Sequence, residues 1–120
     1  MKKLPIPFED QIIAMLNGSI FDLVSQYYGS LSTCNIKKYL TVDRRMIELF
    51  LEKNNAVAVK YYESISKSNA FTDHESLWKD AGSGKYFVAT MDHGEPRFIR
   101  QFNSLHEAIA EHVLLMYGMY

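Results

Sequence analysis

A single cysteine, Cys34, occurs in the 120 residues. One thiol leaves no intramolecular disulfide and no zinc site built from several cysteines. A lone cysteine reads as a small buried apolar residue. No apolar run approaches the roughly 20 residues that a membrane-spanning helix needs. Charge of one sign is also lacking. The net value is −1, so no strong overall field draws the chain toward nucleic acid or an anionic membrane. Prolines number only three, and no Pro/Gly-rich or low-complexity stretch divides the chain. One domain over residues 1–120 is therefore expected. Lys2 and Lys3 are followed by Pro5, Pro7, Glu9 and Asp10 rather than by an apolar run. No signal peptide is expected, and the cytoplasm is the expected location.

What is present is ordinary globular material, 48% hydrophobic and 22% charged, which separates the chain from disordered sequences. A chain of this length buries roughly two-thirds of its unfolded surface, so a core without disulfide or metal is feasible. Tyrosine (eight) and phenylalanine (seven) are plentiful, and tyrosine serves both cores and contact surfaces. The charge is mildly asymmetric. Residues 1–60 carry eight Lys/Arg against six Asp/Glu, or +2, and residues 61–120 carry five against eight, or −3.

Helical spacing dominates the first half. Pro7 suits a first helical residue. Phe8, Ile12, Met15 and Leu16 share a face, and Gly18 ends the segment. Ser19 with Asp22 has the spacing of a capping box before the stripe Ile20, Leu23, Val24, Tyr27, Tyr28. Asn35 to Leu40 reads as a short helix. Val42 to Lys53 is a longer one, with Arg44 and Glu48 as a possible i,i+4 pair and Asn54–Asn55 as its end. Residues 56–66 fit strand or helix, and Val57, Tyr61 and Ile65 favour helix. Thr72 and Glu75 suggest a cap for a short helix through Trp78 that Gly82 ends.

The last third changes period. Lys85–Met91 and Arg97–Phe102 are rich in β-formers around Asp92-His93-Gly94-Glu95, a hairpin connection. Ser104 and Glu107 form a capping box for a final helix whose apolar face is Leu105, Ala108, Ile109, His112, Val113 and Met116. The expected class is α+β: a helical N-terminal portion packed with an antiparallel β-hairpin and a C-terminal helix.

Chemical motifs fail one by one. Gly82-Ser83-Gly84-Lys85 lacks the first glycine and the Ser/Thr of a phosphate loop, and a strand follows where a helix N-terminus is required. His106 and His112 are six apart, whereas a helical zinc pair needs four. Glu107 and Glu111 then read as a solvated acidic face. His74 and His93 have no nucleophile at a diagnostic spacing, and Asp92 and Glu95 sit at a hairpin tip, a poor place for a perturbed carboxylate. No catalytic residue, cofactor or metal is expected.

Two binding readings remain. Ile36, Leu40, Val42, Ile47 and Phe50 follow the apolar rhythm of a helix-turn-helix over residues 35–53. Lys37, Lys38, Arg44 and Arg45 are placed to meet phosphates or base edges. Against it, Thr41 stands where glycine is typical and Lys37 where a small residue lets the helices approach.

The second reading begins from the hairpin Met91-Asp92-His93-Gly94-Glu95 followed by Phe102-Asn103-Ser104-Leu105-His106-Glu107-Ala108-Ile109. This stretch resembles the C-terminal part of small bacterial immunity proteins of polymorphic-toxin and contact-dependent inhibition systems. The resemblance covers Lys85 to Gly118, about a third of the chain. It implies a non-catalytic protein that binds a cognate toxin domain, many of which are nucleases with basic clefts. Carboxylates and aromatics complement such a cleft. The candidate contact residues are Asp73, Glu75, Trp78, Asp80, Asp92, Glu95, Glu107 and Glu111. The bland reading of each carboxylate is solvation or helix capping, and that of Trp78 is core.

Overall fold

A computed structural model of the chain describes residues 5–29, 36, 39–67, 75–92 and 95–117. Its architecture is α+β. Five helices and three strands occur among the described residues: α1 (Phe8–Asn17), α2 (Ile20–Tyr28), α3 (Arg44–Lys53), α4 (Asn55–Lys67), β1 (Glu75–Lys79), β2 (Tyr86–Asp92), β3 (Glu95–Phe102) and α5 (Leu105–Met116).

The helical half follows the apolar spacing, with local differences at its ends. Pro7 stands one position earlier than expected, as the N-cap of α1, and its carbonyl accepts from the Asp10 and Gln11 amides. Gly18 closes α1 at φ 83, where a residue with Cβ would be strained. Ser19 does cap α2 by position, but not as a capping box. Its hydroxyl donates to Asn17 Oδ1 (2.6 Å) instead of serving the helix amides. Half of the helix expected over Asn35–Leu40 lies outside the described residues; Tyr39 N donates to Ile36 O. α3 starts at Arg44 because Asp43 supplies the cap, accepting from Met46 N at 2.9 Å. Asn54 ends α3, yet the chain turns helical again at once, so Asn55 opens α4 rather than a loop. The ambiguous stretch 56–66 is helix.

One element differs in kind. The short helix expected through Trp78 is a strand, and Thr72 lies outside the described residues. Five residues cannot establish a period, and pairing with β2 decides the matter: Leu77 sits opposite Val88 and Trp78 opposite Phe87. The expected hairpin therefore becomes a three-stranded antiparallel sheet with β2 in the middle. Gly82 belongs to the turn between β1 and β2, not to a helix end. In that turn Asp80 accepts from Ser83 N and Oγ, and Gly84 takes φ 74. These hydrogen bonds, from the Ser83 hydroxyl first, hold the Asp80 carboxyl below the usual range.

α5 is the hub. It touches α3, α4 and all three strands, and Ala108 through Leu114 are all buried. That is a helix enclosed on nearly every side, not one with a single apolar stripe. Ser104 caps it, accepting from Glu107 N and donating to Glu107 Oε1. Leu77 and Val88 point into the shared core with Ile109 and Val113. On the opposite face of the sheet Trp78 stacks on Phe87, ring centroids 5.7 Å apart.

Neighbouring residues of a helix point apart, and Tyr61 and Tyr62 of α4 differ accordingly. Tyr61 is buried, and Tyr62 is half-buried against Tyr86. Tyr117 closes the structure end to end: its hydroxyl donates to Met15 O at 2.7 Å. Burial raises the Tyr117 phenol above its ordinary value of 10. A raised value means that the fold favours the neutral phenol. Its contribution is fully present below pH 10 and is lost as pH rises through the folded value. Tyr117→Phe should cost about 1 kcal/mol at neutral pH. In denaturant titrations above pH 10 the gap between wild type and variant should close.

Candidate functional site

The candidate contact residues among the described ones do not form one surface. Asp73 lies outside the described residues, and Glu75 and Asp92 are placed by backbone alone. Glu75 pairs with Thr90, and Asp92 with Glu95, so these three gather at the hairpin end of the sheet. Asp80 and Glu107 adjoin its other end, beside Lys79 and Phe102. Strands of this length separate the two ends by roughly 20 Å. Trp78 lies between them, half-buried on the outer face.

Glu111, expected on a solvated face and as a contact residue, is 1% exposed and faces the interior instead. Arg44 of α3 donates to its Oε1. Arg100 of β3 brings Nε to 3.1 Å from its Oε2, an ion pair off the line of a hydrogen bond. One carboxylate on the hub helix thus binds a guanidinium from each side. The i,i+4 spacing offers Glu48 to Arg44; in the fold Arg45 stands 3.6 Å from Glu48. His112, beside Glu111, is buried, as its place on the apolar face of the last helix leads one to expect. Its Nδ1 lies 2.8 Å from the Tyr61 hydroxyl.

The ion-paired cluster matters for what lies above it. Between Val88 and Thr90 the β2–β3 register slips: Val88 pairs with Arg100 but Thr90 with Arg97. β3 therefore carries an extra residue there, a bulge. Phe98 takes φ 53 at the bulge, the only described non-glycine residue with positive φ. It is 74% exposed, and Ile99 is 51% exposed. A bulky residue in the left-handed region is a genuine outlier, and strain of this kind concentrates at functional positions. Arg100 fixes the bulge from below, its Nη1 donating to Phe98 O at 3.4 Å while its Nε faces Glu111.

The two outer edges of the sheet differ. On β1, the Lys79 amide donates to the Tyr62 hydroxyl of α4. On β3, residues 95–99 are exposed throughout. Pro96 lacks an N–H and the bulge interrupts the ladder, both features that discourage strand addition. β3 thus offers side chains rather than a backbone edge. Sequence reasoning missed Phe98 and Ile99 because a Phe-Ile pair inside a β-rich run reads as strand interior. No protein-family profile, curated protein or solved structure matches this chain.

Proposed function

We propose that this chain is a non-catalytic inhibitory binding protein of the immunity type that its C-terminal third resembles, neutralising a cognate bacterial toxin domain by direct contact. The observation that carries this reading is the pair Phe98 and Ile99. Two large apolar side chains stand exposed on a strand edge, one of them in a strained backbone held by Arg100. Exposed aromatics in well-fixed positions are the usual centre of a protein–protein contact. The Trp78–Phe87 stack extends the apolar area on the outer sheet face. Glu95, at the hairpin, serves as an acidic rim that favours a basic partner.

DNA binding through residues 35–53 has less support. Arg44 is engaged with Glu111. The other charged residues of α3 are Arg45, Glu48, Glu52 and Lys53, which sum to zero. Lys37 and Lys38 lie outside the described residues.

The test has three linked parts. The tagged protein should retain one stoichiometric protein partner after nuclease treatment and raised salt. That partner, expressed alone, should arrest growth, and co-expression of this chain should restore it. Glu95→Lys should slow association and weaken capture by up to about tenfold with the fold intact, as a rim charge does. Recovery of nucleic acid that is lost at raised salt would favour the DNA reading instead.

A further inference from the structure

α1 and α4 flank a groove of about 460 Å³ lined by Ile13, Leu16, Asn17, Val57, Lys60, Tyr61 and Ser64. Its volume lies in the range of small-molecule sites. Ile13, Leu16 and Val57 make it apolar, and Ile13 stands well exposed on its wall.

The polar groups of the lining are unequal. Asn17 Oδ1 already accepts from Ser19 N and Ser19 Oγ, which leaves its amide nitrogen as the group to offer. Ser64 Oγ donates to Tyr61 O. The Tyr61 hydroxyl is directed inward, to His112 Nδ1 and Met116 Sδ. Lys60 is the one charged residue among the described residues of the lining. The groove therefore presents an apolar wall with a rim that donates hydrogen bonds and carries positive charge. A ligand complementary to it has an apolar body and an anionic, accepting end.

We propose that the α1–α4 groove binds a small amphipathic carboxylate, its aliphatic body along Ile13, Leu16 and Val57 and its carboxylate on Lys60 with the Asn17 amide. These residues are separate from the β3 edge, so the site stands or falls independently of the inhibitory reading.

The probe is dodecanoate, titrated calorimetrically below its micelle concentration against the full chain. One molecule should bind per chain. Affinity should rise about three- to fourfold per methylene from octanoate to dodecanoate, as apolar burial dictates. Lys60→Met should weaken dodecanoate at least about tenfold while leaving dodecanol unchanged. Ile13→Trp, on an exposed position, should fill the groove and block binding, with an unchanged thermal midpoint and circular dichroism spectrum as control for folding. Absence of saturable binding at millimolar dodecanoate overturns the proposal. So does equal binding by dodecanol and dodecanoate, or full binding by a folded Ile13→Trp protein.

Discussion

Glu111→Ala should lower the thermal midpoint by roughly 12–20 °C, the equivalent of about 3–5 kcal/mol for breaking a buried ion pair in a domain of this size. The asymmetry of the cluster sets this magnitude. Glu111 is buried, whereas the side chains of Arg44 and Arg100 keep 36% and 41% of their exposure. Removing the carboxylate leaves two guanidinium groups facing one another over a cavity in the hub helix. Removing one arginine still leaves the carboxylate its other partner, so Arg44→Ala should cost less, about 1–2 kcal/mol. Glu111→Gln, which keeps the shape and loses the charge, should fall between. The triple change Arg44→Met, Glu111→Leu, Arg100→Met should recover most of the loss, because an apolar replacement of a whole buried ionic cluster is often neutral or stabilising. If Glu111→Ala melts within a degree or two of wild type, the cluster does not hold α3 and β3 to α5.

The value of the cluster then lies in geometry rather than in net stability. Arg100 connects the buried carboxylate to the carbonyl of Phe98. Loss of Glu111 frees the guanidinium that fixes the bulge, so Glu111→Gln should also weaken partner binding while the protein remains folded.

How far the sequence reveals this structure depends on the range of the interactions involved. Local signals are legible. Ser104 caps α5 through the Glu107 amide as its spacing predicts, with its hydroxyl on the Glu107 carboxylate, and Val57, Tyr61 and Ile65 indicate the helix that α4 is. The hairpin strands lie where their β-formers lie. What fails is non-local. Glu75–Lys79 becomes a strand because β2 is there to pair with it. Glu111 looks solvent-facing beside Glu107, one turn away. Its arginines come from 67 residues earlier, in the case of Arg44, and from the neighbouring strand. No local pattern announces a pairing of that kind. The candidate contact surface was legible only in part. Glu95 is accessible where its sequence context places it, and Trp78 is half-buried on a strand in place of the expected helix, but the residues that dominate the edge, Phe98 and Ile99, depend on a one-residue slip in register that leaves no signature in composition or spacing.

Phe98 gives the sharpest test of the inhibitory proposal, because stability and binding should move in different directions. An interior aromatic replaced by glycine normally costs several kcal/mol. Phe98 buries little and sits at φ 53, a conformation that costs an L-residue about 1–2 kcal/mol and glycine almost nothing. Phe98→Gly should therefore leave chemical-denaturation stability unchanged or raise it by up to about 1 kcal/mol, after the entropy of an added glycine is set against the relieved strain. The same variant should bind the captured partner at least about thirtyfold more weakly, as loss of a central aromatic anchor does. Phe98→Asp should weaken it further, since it would bring a charge into a contact that excludes water. Ile99→Ala should have a smaller effect in the same direction. Phe98→Leu, which keeps apolar bulk, should retain part of the affinity. A partner that binds Phe98→Gly as tightly as wild type contacts some other face, and the exposed edge of β3 is then not the inhibitory surface. Stability that falls by several kcal/mol would instead mean that Phe98 packs against the chain itself, and its strain would serve the fold rather than a partner.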